Sequence, residues 1–285
     1  MSNRIERIHQ GFTPFESAIE KRGGQPILPE TVDFTIHNPE MVGERFGPFL
    51  AFAGGVEGEV TNSANLARTL LPHMRPDLQT FFTGWELEED FHARNLAIVR
   101  EQVNVPPMMI RETVPKSYQP VRKVSELSSK FHNAAEYLVI SYFGLGELET
   151  WQAYKTVAGQ LDDSGEPELA HLMKRIAKQE RGHLGDARGF AANRRQESVS
   201  PRQLNMVKGF MERQYMPVGV RKRDPERRQR FGHMASLLLD GDAVETVTRP
   251  VEDLAEELFG QPVTPFLQRR YTECIADYEA SLSQE

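Results

Sequence analysis

Two glutamate–histidine pairs, each with the histidine three positions after the glutamate, are the residues of this chain best suited to hold a metal ion. Glu89 precedes His92, and Glu180 precedes His183. Because a helix places residues i and i+3 on one face, each pair can direct a carboxylate and an imidazole the same way. Two helices that each turn such a pair toward a bundle interior match the ligand pattern of carboxylate-bridged di-metal sites.

Apolar residues surround both pairs at the spacing of a buried helix face. The apolar positions on the two helices are Leu78, Phe81, Phe82, Trp85, Leu96 and Val99 for the first, and Leu169, Leu172, Met173, Ile176, Ala187 and Phe190 for the second. An ionised carboxylate in such a core costs on the order of several kcal/mol unless it is paired or bound to a metal. A buried hydrogen bond would explain one pair; two pairs predict a di-metal site.

Two further Glu-x-x-His pairs in the chain lack this apolar setting. Glu6 and His9 lie in a short N-terminal segment, and Glu168 and His171 have Arg175 beside them at helical spacing. We interpret both pairs as surface residues outside the site.

The composition is that of a globular chain: 285 residues, 39% hydrophobic and 26% charged. One cysteine, Cys274, excludes disulfides and cysteine metal sites. We expect a cytoplasmic protein with no membrane span, and the net charge of −7 argues against nucleic-acid binding. Residues 201–230 nevertheless carry nine basic and three acidic residues. This stretch is either a solvated surface or a surface for an acidic partner.

The helical spacing predicts an all-α fold. Residues 1–50 are expected to form an irregular N-terminal arm with one short helix from Thr13 to Lys21, followed by one helical domain over 51–285 with a core bundle at about 55–196. The first bundle helix should follow Gly54-Gly55 and stop near Pro72. The other predicted helices cover about 77–103, 124–160, 168–196, 201–215, 226–240, 251–259 and 265–283.

Two more carboxylates are needed to complete a di-metal site. The first helix offers Glu59, on a face with Val56 and Leu66, and the third offers Glu147 or Glu149. Oxygen and nitrogen ligands without thiolate favour iron or manganese.

These motifs resemble the soluble acyl-carrier-protein desaturases, a family with ferritin-like di-iron bundles. WELEEDFH (85–92) is similar to the family's W-x-x-E-E-x-x-H, and Glu180-Arg181-Gly182-His183 to its second element. Glu147-Leu148-Glu149-Thr150 resembles E-x-x-T, which selects Glu147. The FGQP sequence at 259–262, followed by a final helix, is similar to the family's C-terminal region. The resemblance covers roughly residues 50–280.

The resemblance implies an oxygen-dependent homodimeric enzyme that introduces a double bond into an acyl chain carried on acyl carrier protein, with electrons from a ferredoxin-type donor. Thr150 would lie beside the oxygen-binding side of the centre, and 201–230 would dock the acidic carrier. Two iron ions, or manganese ions, would be held by Glu59, Glu89, His92, Glu147, Glu180 and His183.

The chain departs from the family pattern at two positions. Gln179 replaces an aspartate that hydrogen-bonds a ligand histidine, and alignment of the first helix puts Ser63 at the ligand position, with Glu59 one turn earlier. Two alternatives therefore stay open: a di-iron oxygenase that hydroxylates or N-oxygenates a small molecule, and a metal-poor, non-catalytic relative. A long apolar tunnel would favour an acyl chain, and a wide polar pocket would not.

Overall fold

A computed structural model describes residues 26–108, 129–239 and 243–283, and these contain helices and no strand. A short 3-10 turn at Pro29–Thr31 precedes the α-helices. The α-helices are α1 (Pro39–Glu57), α2 (Val60–Leu70), α3 (Pro76–Gln102), α4 (Ser129–Asp163), α5 (Pro167–Ser198), α6 (Pro201–Gln214), α7 (Pro225–Leu238), α8 (Ala243–Phe259) and α9 (Phe266–Leu282). The predicted all-α class is confirmed.

Proline marks the start of several helices. It occupies the first position of α1, α3, α5, α6 and α7, where its missing N–H is not needed and its fixed φ suits a helix. The side chains of Asn38, Ser200 and Asp224 cap α1, α6 and α7 by accepting backbone N–H groups. These local signals explain why the helix starts near Pro76, Pro167 and Pro201 could be predicted closely.

The central bundle consists of two helix pairs, α1 with α3 and α4 with α5. Aromatic rings join the pairs at one end. Phe81 of α3 lies edge-on to Phe143 of α4 and Phe190 of α5, with ring centroids 5.1 and 5.6 Å apart. The same apolar faces that hold the Glu-x-x-His pairs therefore form the core between the helices.

The C-terminal helices cover the outside of this bundle. α7 packs against α1 and α9, and α8 against α4 and α9. The contact between α7 and α9 depends on Gly232, because a Cβ there would collide with the carbonyl oxygen of Cys274. None of the helices in the described ranges is both long and apolar enough to cross a membrane.

The prediction for the first helix was wrong. Residues 39–50 were expected to be irregular, yet α1 begins at Pro39 and ends at Glu57, and α2 is a separate helix from Val60. The glycines and Pro48 lower the intrinsic helix propensity of this stretch. They are compatible with the fold because Gly43 and Gly47 let α1 approach the backbone and side chains of residues 103–105 closely.

Two other expectations differ from the structure or fall outside it. α8 begins at Ala243 rather than near 251, so Pro250 lies inside it. The predicted helix from Thr13 to Lys21 lies outside the described residues, and so does most of the proline-rich connection that was expected at about 104–122.

Candidate metal centre

Six buried side chains from four helices meet inside the bundle. Their ligand atoms form two overlapping groups, each with all atoms within 4.8 Å of one another. The first group is Glu57, Glu89, His92 and Glu180, and the second is Glu89, Glu147, Glu180 and His183. Glu89 and Glu180 belong to both groups, so each of two metal positions would have one histidine, one glutamate of its own and two shared glutamates.

The histidine Nδ1 atoms point at the carboxylates. His92 Nδ1 lies 3.0 Å from Glu89 Oε2 and 3.1 Å from Glu180 Oε1. His183 Nδ1 lies 3.1 Å from both Glu89 Oε1 and Glu147 Oε2. A ring nitrogen carries at most one proton, so it cannot satisfy two carboxylate oxygens at once.

Two carboxylate oxygens in the cluster lack a hydrogen-bond partner, and this bears on whether a cation would fit there. Glu89 Oε1 and Glu180 Oε1 are buried and make no hydrogen bond among the described residues, although each lies 3.1 Å from a histidine nitrogen. Buried carboxylate oxygens normally have partners. Carboxylate and imidazole donors that converge in this way suit divalent metal ions, so the residues present fit a two-metal site.

The other nitrogen of each imidazole is held by a residue on the opposite helix. His92 Nε2 donates to Gln179 Oε1 at 2.7 Å, and His183 Nε2 donates to Glu88 Oε2 at 2.5 Å. Such partners fix the tautomer and the ring orientation of a metal-binding histidine. Both imidazoles are therefore positioned with Nδ1 directed into the cluster.

A tyrosine contacts the site from α4. The hydroxyl of Tyr154, two turns after Glu147, donates to Glu57 Oε1 at 2.5 Å. Tyr154 is fully buried, and Phe49 lies edge-on to its ring at 5.5 Å between centroids. The phenol thereby orients the Glu57 carboxylate.

The ionisable groups of the cluster balance one another. Burial and the neighbouring carboxylates raise the pKa of Glu57 and Glu147 well above the usual value. Burial alone would raise the pKa of Glu89, but the neighbouring His92 and the hydrogen bonds that the Glu89 carboxylate makes lower this pKa well below its usual value. Burial lowers the pKa of His92, and the carboxylates around it reverse this and raise it well above 6.5. Cations that bind the same atoms would have to displace these protons.

Comparison with known proteins returns no match. No family model fits the chain, and no curated protein or solved structure is significantly similar to it.

The expected ligand Glu59 requires correction. It lies outside both groups and forms an ion pair with the buried Arg227 and a longer one, at 3.4 Å, with Arg221. The prediction assumed one continuous helix through Glu59, but α1 ends at Glu57 and turns that carboxylate inward. Ser63, the alternative by alignment, is exposed.

The signal for Glu57 was present in the sequence. Phe46, Leu50, Ala53 and Glu57 follow one another at steps of four, three and four, and all are buried. Sequence reasoning missed this face because the Gly- and Pro-rich stretch was assigned to an irregular arm. Glu57 would supply the carboxylate that the departure at Ser63 had left missing.

Glu147 and Glu149, the two carboxylates that the third predicted bundle helix offered, both lie on α4 but have different surroundings. Glu147 joins the cluster, as the resemblance implied. Glu149 points elsewhere: it accepts hydrogen bonds from Tyr271 at 2.8 Å, Tyr215 at 3.1 Å and the Val218 backbone N–H at 3.1 Å. Glu149 therefore links α4 to α9 and to the segment after α6.

Thr150, the residue expected beside the oxygen-binding side, is half-buried on α4, and its hydroxyl donates to the Gly146 carbonyl at 2.8 Å. The interpretation of Glu168 and His171 as a pair outside the site agrees with the structure. Glu168 contacts His37 at 2.9 Å and belongs to neither ligand group. Glu6 and His9 lie outside the described residues.

The basic stretch 201–230 is partly neutralised within the protein. Arg227 is 3% exposed and pairs with Glu59, Arg228 pairs with Asp277 at 2.6 Å, and Arg230 pairs with Glu226. The buried Arg227 is not available to a partner.

Two surface cavities, of about 250 and 230 Å³, lie near Pro167 and between α1 and residues 105–108. Neither is lined by any of the six clustered residues, so the tunnel that would discriminate between acyl and small-molecule substrates stays a prediction.

Proposed function

We propose that this protein is a di-iron, oxygen-dependent oxidoreductase. The single observation that carries the proposal is the pair of ligand groups sharing Glu89 and Glu180, each completed by its own histidine and glutamate. A Zn²⁺ site that is purely structural usually has four closed ligands, often thiolates. Four carboxylates and two imidazoles around two positions are instead the set used for di-iron and di-manganese chemistry.

The protein's own residues would bind and orient the metal pair. Two iron ions, when bound, would transfer electrons to dioxygen and so make possible the oxidation of an unactivated C–H bond by oxygen, which amino-acid side chains cannot achieve. Glu88 and Gln179 hold the imidazoles, and Tyr154 holds Glu57. The rings of Phe81 and Phe143 pack edge to face and give one end of the bundle an apolar lining.

For the substrate, we infer an acyl chain carried on acyl carrier protein, with desaturation as the reaction and a ferredoxin-type protein as electron donor to a homodimeric enzyme. The support is the likeness of the segments at 85–92, 147–150 and 180–183 to the acyl-carrier-protein desaturases. By the same likeness Thr150 would lie on the oxygen-binding side.

One observation favours the alternative of hydroxylation or N-oxygenation of a free small molecule. Arg227, Arg228 and Arg230 are paired within the protein. Internal pairing reduces the positive potential with which residues 201–230 could attract an acidic carrier. The complete ligand set, in turn, favours either enzyme over a metal-poor relative.

Anaerobic iron loading tests the metal assignment. The protein should bind close to two Fe²⁺ per chain, and its optical spectrum should change on exposure to oxygen. Glu57→Ala and Glu180→Ala should each lose bound iron, because each removes a buried ligand. Glu168→Ala, a surface control of the same type, should keep it. Equal iron content in all three variants would contradict the proposal.

The substrate is tested separately with the reduced, iron-loaded protein, oxygen and an electron donor. Acylated carrier and free small acids or amines are supplied in parallel, and products are analysed by mass spectrometry. Loss of two hydrogen atoms from a carrier-bound chain supports desaturation. Gain of one oxygen atom by a free substrate supports the alternative and refutes the carrier.

A further inference from the structure

The two metal positions have similar ligands but different supports. The residue before each shared glutamate orients the histidine of the opposite helix: Glu88 on α3 contacts His183 on α5, and Gln179 on α5 contacts His92 on α3. The geometry of the two contacts is alike, but one partner is a carboxylate and the other is a neutral amide.

This difference in charge changes the donor strength of the imidazoles. A carboxylate that accepts the Nε2–H draws the proton toward itself and makes Nδ1 a stronger metal ligand, whereas an amide does so less. Glu88 is only 12% exposed, and His183 is 1% exposed, so solvent screens this interaction weakly. His183 should therefore bind a cation more tightly than His92.

The glutamates that belong to one position alone reinforce the difference. Glu57, which shares its position with His92, already accepts a 2.5 Å hydrogen bond from the Tyr154 hydroxyl. That bond withdraws negative charge from the carboxylate and occupies one of its oxygens. Glu147, in the other position, contacts His183 itself at 3.1 Å. The neutral amide of Gln179 and the hydrogen bond from Tyr154 thus both weaken metal binding at the Glu57/His92 position relative to the Glu147/His183 position.

We propose that the protein binds its two metal ions in order and unequally: the Glu147/His183 position fills first and tightly, and the Glu57/His92 position fills second and exchanges readily. Gln179 and Glu88 are the positioning residues that set this difference. The inference rests on the proposed di-metal function and deepens it, because it assigns a different affinity to each half of the site.

Reciprocal substitutions test the assignment. The metal-free protein is titrated anaerobically with Fe²⁺, and with Mn²⁺ as a second probe, by isothermal titration calorimetry. The wild-type isotherm should show two steps that differ by about tenfold or more in Kd. Gln179→Glu should tighten the weaker step by about tenfold, and Glu88→Gln should weaken the tighter step by about 10- to 100-fold, the usual range for such partners.

Ligand variants assign the steps to positions. Glu57→Ala should abolish the weaker step and keep the tighter one, and Glu147→Ala should do the reverse. Circular dichroism of each metal-free variant checks that it remains folded, and a variant that does not is replaced by the corresponding Gln substitution.

The outcomes separate this inference from the function on which it rests. A wild-type protein that binds no metal pair would overturn both. Two ions bound with one affinity would overturn only the inference, as would a Gln179→Glu change that acts on the tighter step.

Discussion

Replacing Glu149 with glutamine is expected to remove a large pH-dependent contribution to the free energy of unfolding. Glu149 is 3% exposed and accepts hydrogen bonds from Tyr271, Tyr215 and the Val218 N–H. Burial raises the pKa of this carboxyl from 4.5 to about 7, against the effect of these hydrogen bonds. The folded protein therefore holds the proton at pH values where the unfolded chain has released it.

The sign and size follow from that difference. Because the folded-state pKa is raised, the contribution to stability is fully present below the unfolded pKa of 4.5 and is lost as the pH rises through about 7. The total is about 3 kcal/mol at roughly 1.4 kcal/mol per pKa unit, and most of it falls between about pH 5 and about pH 8. Glutamine stays neutral over this range and can keep the same three contacts, because the Tyr215 hydroxyl can accept from its amide.

Urea unfolding of the metal-free wild type and Glu149→Gln at about pH 5 and about pH 8 measures this effect. The wild type should lose about 2–3 kcal/mol more than the variant over that interval. Other titrating groups, including those of the metal cluster, are common to both proteins and cancel in the comparison. Parallel stability profiles would refute the reasoning, and so would a wild type that gains stability relative to the variant as the pH rises.

Three further outcomes follow from other contacts. Arg227→Met should lower the free energy of unfolding by about 3 kcal/mol, because it removes the closest ion-pair partner of the buried Glu59; the exposed Arg230→Met is the control and should change it by less than about 0.5 kcal/mol. A small effect of both changes in chemical denaturation would contradict this. Tyr154→Phe should tighten the weaker of the two metal-binding steps by up to about tenfold and spare the tighter one, because it removes the hydrogen bond that withdraws negative charge from Glu57; an effect on the tighter step in calorimetry would show that the positions are misassigned. Metal affinity should rise steeply from about pH 6 to about pH 8, because the raised pKa of both site histidines means that protons compete with the cation, and affinity that is independent of pH would show that those protons are absent.

Much of the site could be predicted from helical spacing alone. Both Glu-x-x-His pairs lie on long apolar helix faces with a regular spacing of three and four residues: Glu89 and His92 on one helix, Glu180 and His183 on the other. This spacing alone determines that the four side chains face the core. Glu147 could be separated from Glu149 only through the E-x-x-T resemblance, because both are buried and each lies on an apolar face of α4. What distinguishes the two glutamates is the set of residues that each contacts, and those contacts join positions far apart in the chain that the sequence does not reveal.

The first-helix ligand could not be predicted in the same way. Whether Glu57 or Glu59 faces the cluster depends on where α1 ends, and a two-residue error at a helix end rotates a side chain to the opposite face. α1 is stabilised by close packing of its glycines rather than by helix propensity. The ion pair between Arg227 and Glu59 joins positions far apart in the chain, and no local pattern reports it.

The reciprocal contacts between α3 and α5 make the centre sensitive to how these helices are aligned. Residues 88–92 and 179–183 have the same internal offsets, and each segment holds the histidine of the other. A slide of one helix by a single residue, about 1.5 Å, would exceed the tolerance of both hydrogen bonds at once. The transferable unit for protein engineering is therefore a matched pair of helices in fixed register. A single Glu-x-x-His helix grafted elsewhere would bring its ligands without the partner that aims them.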